Sequence, residues 1–220
     1  MPPADAPLTR DRILATAEDV IRRFGPAKAT VVDVARALGV SHAAVYRHVA
    51  TKAELRELVV GRWMEAMMPP LRAIAALPGP APQRLRQLFD ALFAVKRRRA
   101  ADDPELFAAY RTLAADGQSV VAARVDELVG LAAMVIRSGV KEGTFRTVDP
   151  VAAGRAVLFA MSRFNHPAHA AEWVDPAIDT AYNDVWQLLM GGLCVAKTLA
   201  NERRTDTHRP PALLSPKVKR

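Results

Sequence analysis

Apolar residues recur along this chain at spacings of three and four, not two, and this predicts helices almost throughout. A first helix follows Thr9, with Ile13, Ala17, Val20 and Phe24 on one face, and Gly25-Pro26 ends it. Thr30 and Asp33 stand at capping-box spacing ahead of Ala35 and Leu38, after which Gly39 breaks the helix. Ser41 can cap a short third helix. Thr51 and Glu54 repeat the capping pattern and open a long helix through Leu55, Leu58, Val59, Trp63, Ala66 and Met67, which Pro69-Pro70 interrupts.

Beyond the "LPGPAP" loop (77–82), helical spacing returns at Leu85, Leu88, Phe89, Leu92 and Phe93. Three Asp-Pro pairs, Asp103-Pro104, Asp149-Pro150 and Asp175-Pro176, each set a capping carboxylate before a proline at a helix start. A long helix is expected from Gln118 to Glu142, with Val121, Val125, Leu128, Ala132, Val135 and Ile136 on one side. The fold expected is all-α, with about nine helices. An N-terminal three-helix unit occupies residues 1–56, a larger helical body residues 57–204, and a basic, disordered tail residues 205–220.

Composition supports this. Half of the 220 residues are hydrophobic, enough for a substantial core, and no long β-type alternation is present. A single cysteine, Cys194, excludes an intramolecular disulfide and a cysteine-based zinc site, which suits a reducing cytoplasm. The stretch "MPPADAPLTRDR" lacks the apolar core of a signal peptide, and no apolar run approaches the ~20 residues of a membrane span. A cytoplasmic protein is therefore expected. The net charge is +8, which suits a polyanionic partner. Residues 197–220 concentrate it, with seven Lys or Arg against two Asp or Glu.

The segment "LGVSHAAVYRHVATKAEL" places Tyr46, Arg47, His48 and Lys52 just after a glycine. Two short helices crossing through a tight turn need a residue at positive φ, and Gly39 supplies it. Ala35 allows the close crossing, and Val45 and Val49 give the second helix its inner face. His42, Ala43, Tyr46 and Arg47 then turn outward, which is the arrangement of a helix-turn-helix offering donors to DNA. Tyr46, His48 and Lys52 suit phosphate contacts, whereas Arg47 and His42 can reach base edges. Ala43 and Ala44 permit close approach to the groove.

The stretch "TVVDVARALGVSHAAVYRHVATKAEL" resembles the DNA-binding domain of the TetR family of bacterial transcriptional regulators. Thr30, Ala35, Gly39, Val40, Ser41, Val45, Tyr46, His48, Lys52 and Leu55 fall on the family pattern, and the similarity runs from about Thr9 to Val59. Ala43 stands where the family usually has glycine and Val49 where it has phenylalanine. The resemblance implies phosphate contacts from Thr30, Tyr46, His48 and Lys52, and base-facing positions for His42, Ala43, Ala44 and Arg47. It also implies a body that binds a small hydrophobic effector and dimerises through its last two long helices.

The residues of the body agree with that expectation. The segment Val151, Ala152, Ala153, Val157, Leu158, Phe159, Ala160 is apolar nearly all round, so it must be covered on more than one side. The final helix carries Tyr182, Val185, Trp186, Leu189, Leu193 and Ala196, with Gly191-Gly192 inside it, as close helix contact across a homodimer would require. Trp63, Met67, Phe89, Phe93, Phe107 and Tyr110 are candidate ligand contacts. Arg111, Phe159, Phe164, His166, His169 and Trp173 complete the set, with Tyr110 and Arg111 as polar handles. Each apolar member is also a plausible core residue. His166, His169 and Glu172 are spaced by three, but Pro167 breaks the geometry and a loop over the pocket is favoured above a metal site. "KRRR" (96–99) reads as a solvated helix end. No cofactor is expected.

The favoured reading is a dimeric, effector-released repressor acting on a palindromic DNA operator. The alternatives are a helical DNA-binding protein without effector and a helical enzyme. The last has no nucleophile–base pair or phosphate loop to support it.

Overall fold

A computed structural model describes residues 7–115 and 119–196. These residues form helices α1 (Arg10–Phe24), α2 (Val31–Leu38), α3 (His42–Tyr46), α4 (Lys52–Glu65), α5 (Met68–Ala76) and α6 (Ala81–Asp102). They continue with α7 (Pro104–Ala115), α8 (Ser119–Glu142), α9 (Pro150–Ala160), α10 (Ser162–Asn165), a 3₁₀ helix (Pro167–Val174) and α11 (Ile178–Leu193). The all-α expectation holds among the described residues, with more helices than the nine expected.

Two places account for much of the difference. Pro69 and Pro70 do not simply interrupt a helix; they lie in the first turn of α5, where missing N–H groups cost nothing. The stretch 163–173, expected as a loop over the pocket, falls largely within α10 and the 3₁₀ helix. The tail assigned to residues 205–220 and its charge lie outside the described residues.

Local capping follows the sequence closely. Thr9 caps α1 through the Arg12 N–H, and Thr30 and Asp33 form a full reciprocal capping box on α2. Thr51 accepts from the Glu54 N–H, but Glu54 reaches back to the Ala50 N–H, one residue further than in a standard box. Asp149 caps α9 through the Ala152 N–H at 2.7 Å. Asp175 accepts the Ala177 N–H at 2.8 Å, and α11 starts at Ile178, two residues later than its Asp-Pro pair suggests.

α1, α2 and α3 pack into a head around Ile13, Ala17, Val34, Ala35, Val45 and Val49. α4 leaves the head and enters the body, where α5 to α11 surround a second set of apolar side chains. The two sets form one continuous hydrophobic cluster. α8 and α9 pack closely at Gly154, where an added Cβ would lie 3.0 Å from the Val129 carbonyl oxygen. After α11 the chain pairs back on the α8–α9 connection through an isolated bridge between Phe145 and Cys194.

Candidate functional site

The head presents a compact polar surface. Gly39 ends α2 at φ 67°, ψ 29°, the left-handed conformation that the tight turn demands. The Ser41 hydroxyl then accepts the Ala44 N–H at 3.2 Å and starts α3. Val45 and Val49 are fully buried, which fixes the rotation of this short helix. His42, Ala43, Tyr46 and Arg47 are exposed in consequence, with Tyr46 at 48%. His48 is half-buried. Ala44, expected to face bases, is buried against the head core instead.

Two of the phosphate candidates have partners within the chain. The Thr30 hydroxyl donates to Asp33 Oδ2 at 2.5 Å while accepting the Asp33 N–H. That hydroxyl bond, above all, lowers the Asp33 pKa. The Lys52 ammonium is exposed and donates to the Ala27 carbonyl at 3.1 Å. A phosphate contact from Lys52 would therefore exchange a backbone carbonyl for a stronger, charged acceptor.

In the body, most of the expected ligand contacts form packed core. Phe93 stacks on Tyr182 with centroids 5.3 Å apart and meets Phe164 and Trp173 edge-on. Phe107 bridges Trp173 to Tyr110 and Trp63, and Phe89 packs on Trp186. Two candidates point away altogether. Arg111 is exposed, one residue and about 100° past buried Tyr110. Phe159 is 55% exposed on the outer side of α9.

The His166 and His169 rings meet edge-on with centroids 6.4 Å apart. His166 Nδ1 accepts the Ala168 N–H, whereas His169 Nδ1 is 2.7 Å from Glu172, which also holds Arg163. Burial, followed by the positive charges of Lys96 and His169, lowers the His166 pKa. No group of three metal-ligating side chains occurs among the described residues.

A cavity lies beside this core, between α4, α5, α6, α7 and α8. Met64, Met67, Met68 and Leu71 form one wall, and Val121, Val125 and Leu128 form the other. Lys96, Tyr110 and Arg124 supply its polar atoms. Its volume of about 20 Å³ suffices for one water, so a larger occupant must spread the walls. Of the expected ligand contacts, only Met67 and Tyr110 line it.

Sequence reasoning missed Lys96, which belongs to the "KRRR" run taken as a solvated face. It is 5% exposed. Its ammonium donates to Tyr110 Oη at 2.9 Å and to the Asn165 carbonyl at 2.7 Å. The signal was present in the spacing: Leu88, Leu92 and Lys96 stand four apart, so the inward stripe of α6 runs straight into the lysine.

The head and the cavity are joined by α4. Lys52 opens this helix beside α3; Trp63 and Met64 end it in the body. Trp63 packs on Tyr110, a cavity residue, at 5.9 Å and donates its ring N–H to Asp103 at 3.2 Å. Asp103 in turn holds Arg22 of α1 through both carboxylate oxygens. Arg62 of α4 adds an ion pair to Glu18 of α1 at 3.2 Å. Among the described residues, no helix is long and apolar enough to cross a membrane.

Comparison with known proteins places this architecture. The chain matches the family model "Bacterial regulatory proteins, tetR family" over residues 13–59 and the model "Tetracyclin repressor-like, C-terminal domain" over residues 81–186. Compared by sequence with curated proteins, it matches none. Solved structures share its fold. SmeT, the repressor of the Stenotrophomonas maltophilia multidrug efflux pump SmeDEF, aligns with TM-score 0.64 at 17% identity, over 89% of this chain and 94% of its own. A TetR transcription regulator from Haloarcula marismortui aligns with TM-score 0.62 at 21% identity, over 83% and 97%. The transcriptional regulator FadR from Bacillus subtilis, solved with stearoyl-CoA, aligns with TM-score 0.58 at 15% identity, over 84% and 99%. Head and body are thus each matched by a model of the same family, in the expected order along one chain, and the protein belongs to the TetR family of bacterial transcriptional regulators.

Proposed function

We propose that this protein is a homodimeric repressor that binds a palindromic operator and is released by a small, largely apolar effector. It is a regulator and not an enzyme, and it works in the cytoplasm. The observation that carries the reading is α4, one helix that starts at the DNA-facing surface and ends at a cavity. In the DNA complex, His42, Ala43 and Arg47 face base edges, and Thr30, Ser41, Tyr46, His48 and Lys52 hold phosphates. SmeT is a repressor and FadR holds an acyl ligand, which agrees with this division of labour.

The dimer forms through α9 and α11. Both carry exposed apolar side chains, Val151 and Phe159 on the first and Leu188, at 78% exposure, on the second. Among the described residues, Gly191 and Gly192 have open space where a Cβ would stand, so close packing within that part of the protomer does not account for them. The final helix ends at Leu193, short of the expected Ala196, so both glycines stand in its last turn and not in its interior.

Filling the cavity spreads the Met-lined wall and tilts α4. The tilt changes the separation of the two α3 helices, which must match about one turn of DNA, roughly 34–36 Å. Selection of bound fragments from a random DNA pool tests the reading. An inverted repeat with half-sites about one turn apart is expected. Recovery of no preferred sequence would overturn it.

A further inference from the structure

We propose that the cavity takes an apolar molecule ending in a carboxylate, and that Lys96 receives the carboxylate. This rests on reading the cavity as the effector site and adds the chemistry of its occupant.

The reasoning begins with charge. An ammonium carries three donors, and Lys96 uses two of them on neutral oxygens, Tyr110 Oη and the Asn165 carbonyl. It forms no ion pair among the described residues. Removing such a cation from water is costly unless an opposite charge is supplied. The other charges at this cavity are already balanced. Arg124 pairs with Glu65 and Glu127, and both carboxylates are shared with Arg72, so two guanidinium groups face two carboxylates. Lys96 is left as the uncompensated group.

Arg124 adds a second donor. Its Nε is buried with no acceptor among the described residues, and the side chain lines the same cavity. The cavity lining has two cations and no carboxylate; its remaining side chains are Met, Leu, Val and Tyr110. A single carboxylate matches the single uncompensated charge, where a dianionic phosphate would exceed it. A cationic ligand would meet like charges. The apolar body of the ligand replaces contacts among Met64, Met67 and Met68, whose unbranched side chains can repack around it.

Calorimetry on the full-length, DNA-free protein tests the proposal with probes of equal chain length. Octanoate should bind at least tenfold more tightly than octan-1-ol, and octylammonium should bind more weakly than either. Lys96→Met should abolish this preference, so that octanol binds at least as well as octanoate. The proposal fails if octanol or octylammonium matches octanoate on the unaltered protein, or if Lys96→Met keeps the preference. It also fails if neither octanoate nor 3-phenylpropanoate binds. Should Lys96→Met not fold, Val125→Trp fills the same cavity from its partly buried side and must weaken octanoate at least tenfold; unchanged affinity overturns the site. Because no DNA is present, the two readings fail separately. A carboxylate preference with no effect on operator affinity would refute effector release alone. Release of DNA by a neutral compound, without carboxylate preference, would refute the present proposal alone.

Discussion

Arg22 and Asp103, separated by 81 positions in sequence, meet through two parallel hydrogen bonds of 3.1 Å, and so tie the first helix of the head to the α6–α7 junction of the body. The carboxylate is shared: Asp103 Oδ2 also accepts the Trp63 ring N–H from α4. Three elements therefore converge on one side chain, and any movement of α4 that displaces Trp63 is felt by α1.

Loss of Asp103 should be felt chiefly through Trp63. Arg22 is partly exposed and retains Glu18 and Asp19, so its own loss is small. The buried indole N–H is left without an acceptor, which costs about 1–3 kcal/mol. Urea unfolding of Asp103→Ala should show that loss. In a Trp63→Phe background, which has no N–H to satisfy, the same substitution should cost much less. Equal losses in both backgrounds would assign the effect to the ion pair instead.

Arg47 and Lys52 should differ in kind when DNA is bound. Arg47→Ala is expected to relax preference at one operator position by about 1–3 kcal/mol. Lys52→Ala is expected to weaken all sequences alike and to reduce the salt slope by about one. Anisotropy titrations across salt concentrations and single-base operator variants separate the two. Uniform losses from both would remove the distinction.

At the proposed dimer contact, Gly192→Trp should leave the protomer folded, since among the described residues nothing beyond its own helix and chain neighbours lies within 4 Å of a Cβ built there. Its bulk should be met only by the partner. Sedimentation is expected to show monomers with native helicity and lowered operator affinity. A dimer of unchanged stability would move the interface elsewhere.

Acid should weaken the protein partly through Glu142. Its carboxylate accepts from Ser138 Oγ at 2.6 Å, from the Ala81 N–H and from Arg84. These bonds, the Ser138 bond foremost, hold its pKa below the ordinary 4.5. A carboxylate depressed on folding stabilises fully above its unfolded pKa, and that contribution disappears as pH falls through the lower folded value. Glu142→Gln should thus be less stable than the unaltered protein at neutral pH, and the gap should narrow below about pH 4. Urea midpoints measured across that range check the sign; a gap that widens in acid would contradict it.

Features set by neighbours a few residues apart can be read from the chain alone. Thr9, Thr30 with Asp33, Ser41 and Asp149 start helices through bonds that span three residues, and Gly39 ends one through its own φ. The helix-turn-helix was legible because its turn, its crossing and its inner valines are all set within one short stretch. Which apolar side chains enclose space and which fill it depends instead on how the helices pack. Trp63, Phe93, Phe107, Phe164 and Trp173 have ligand-binding chemistry, yet they meet ring to ring and close the core. Arg111 and Phe159 turn outward, and Lys96 turns in to the carbonyl of Asn165, 69 positions away. A cavity wall is fixed by the mutual angles of five helices, and those angles result from summed packing over the whole molecule, which no local spacing encodes.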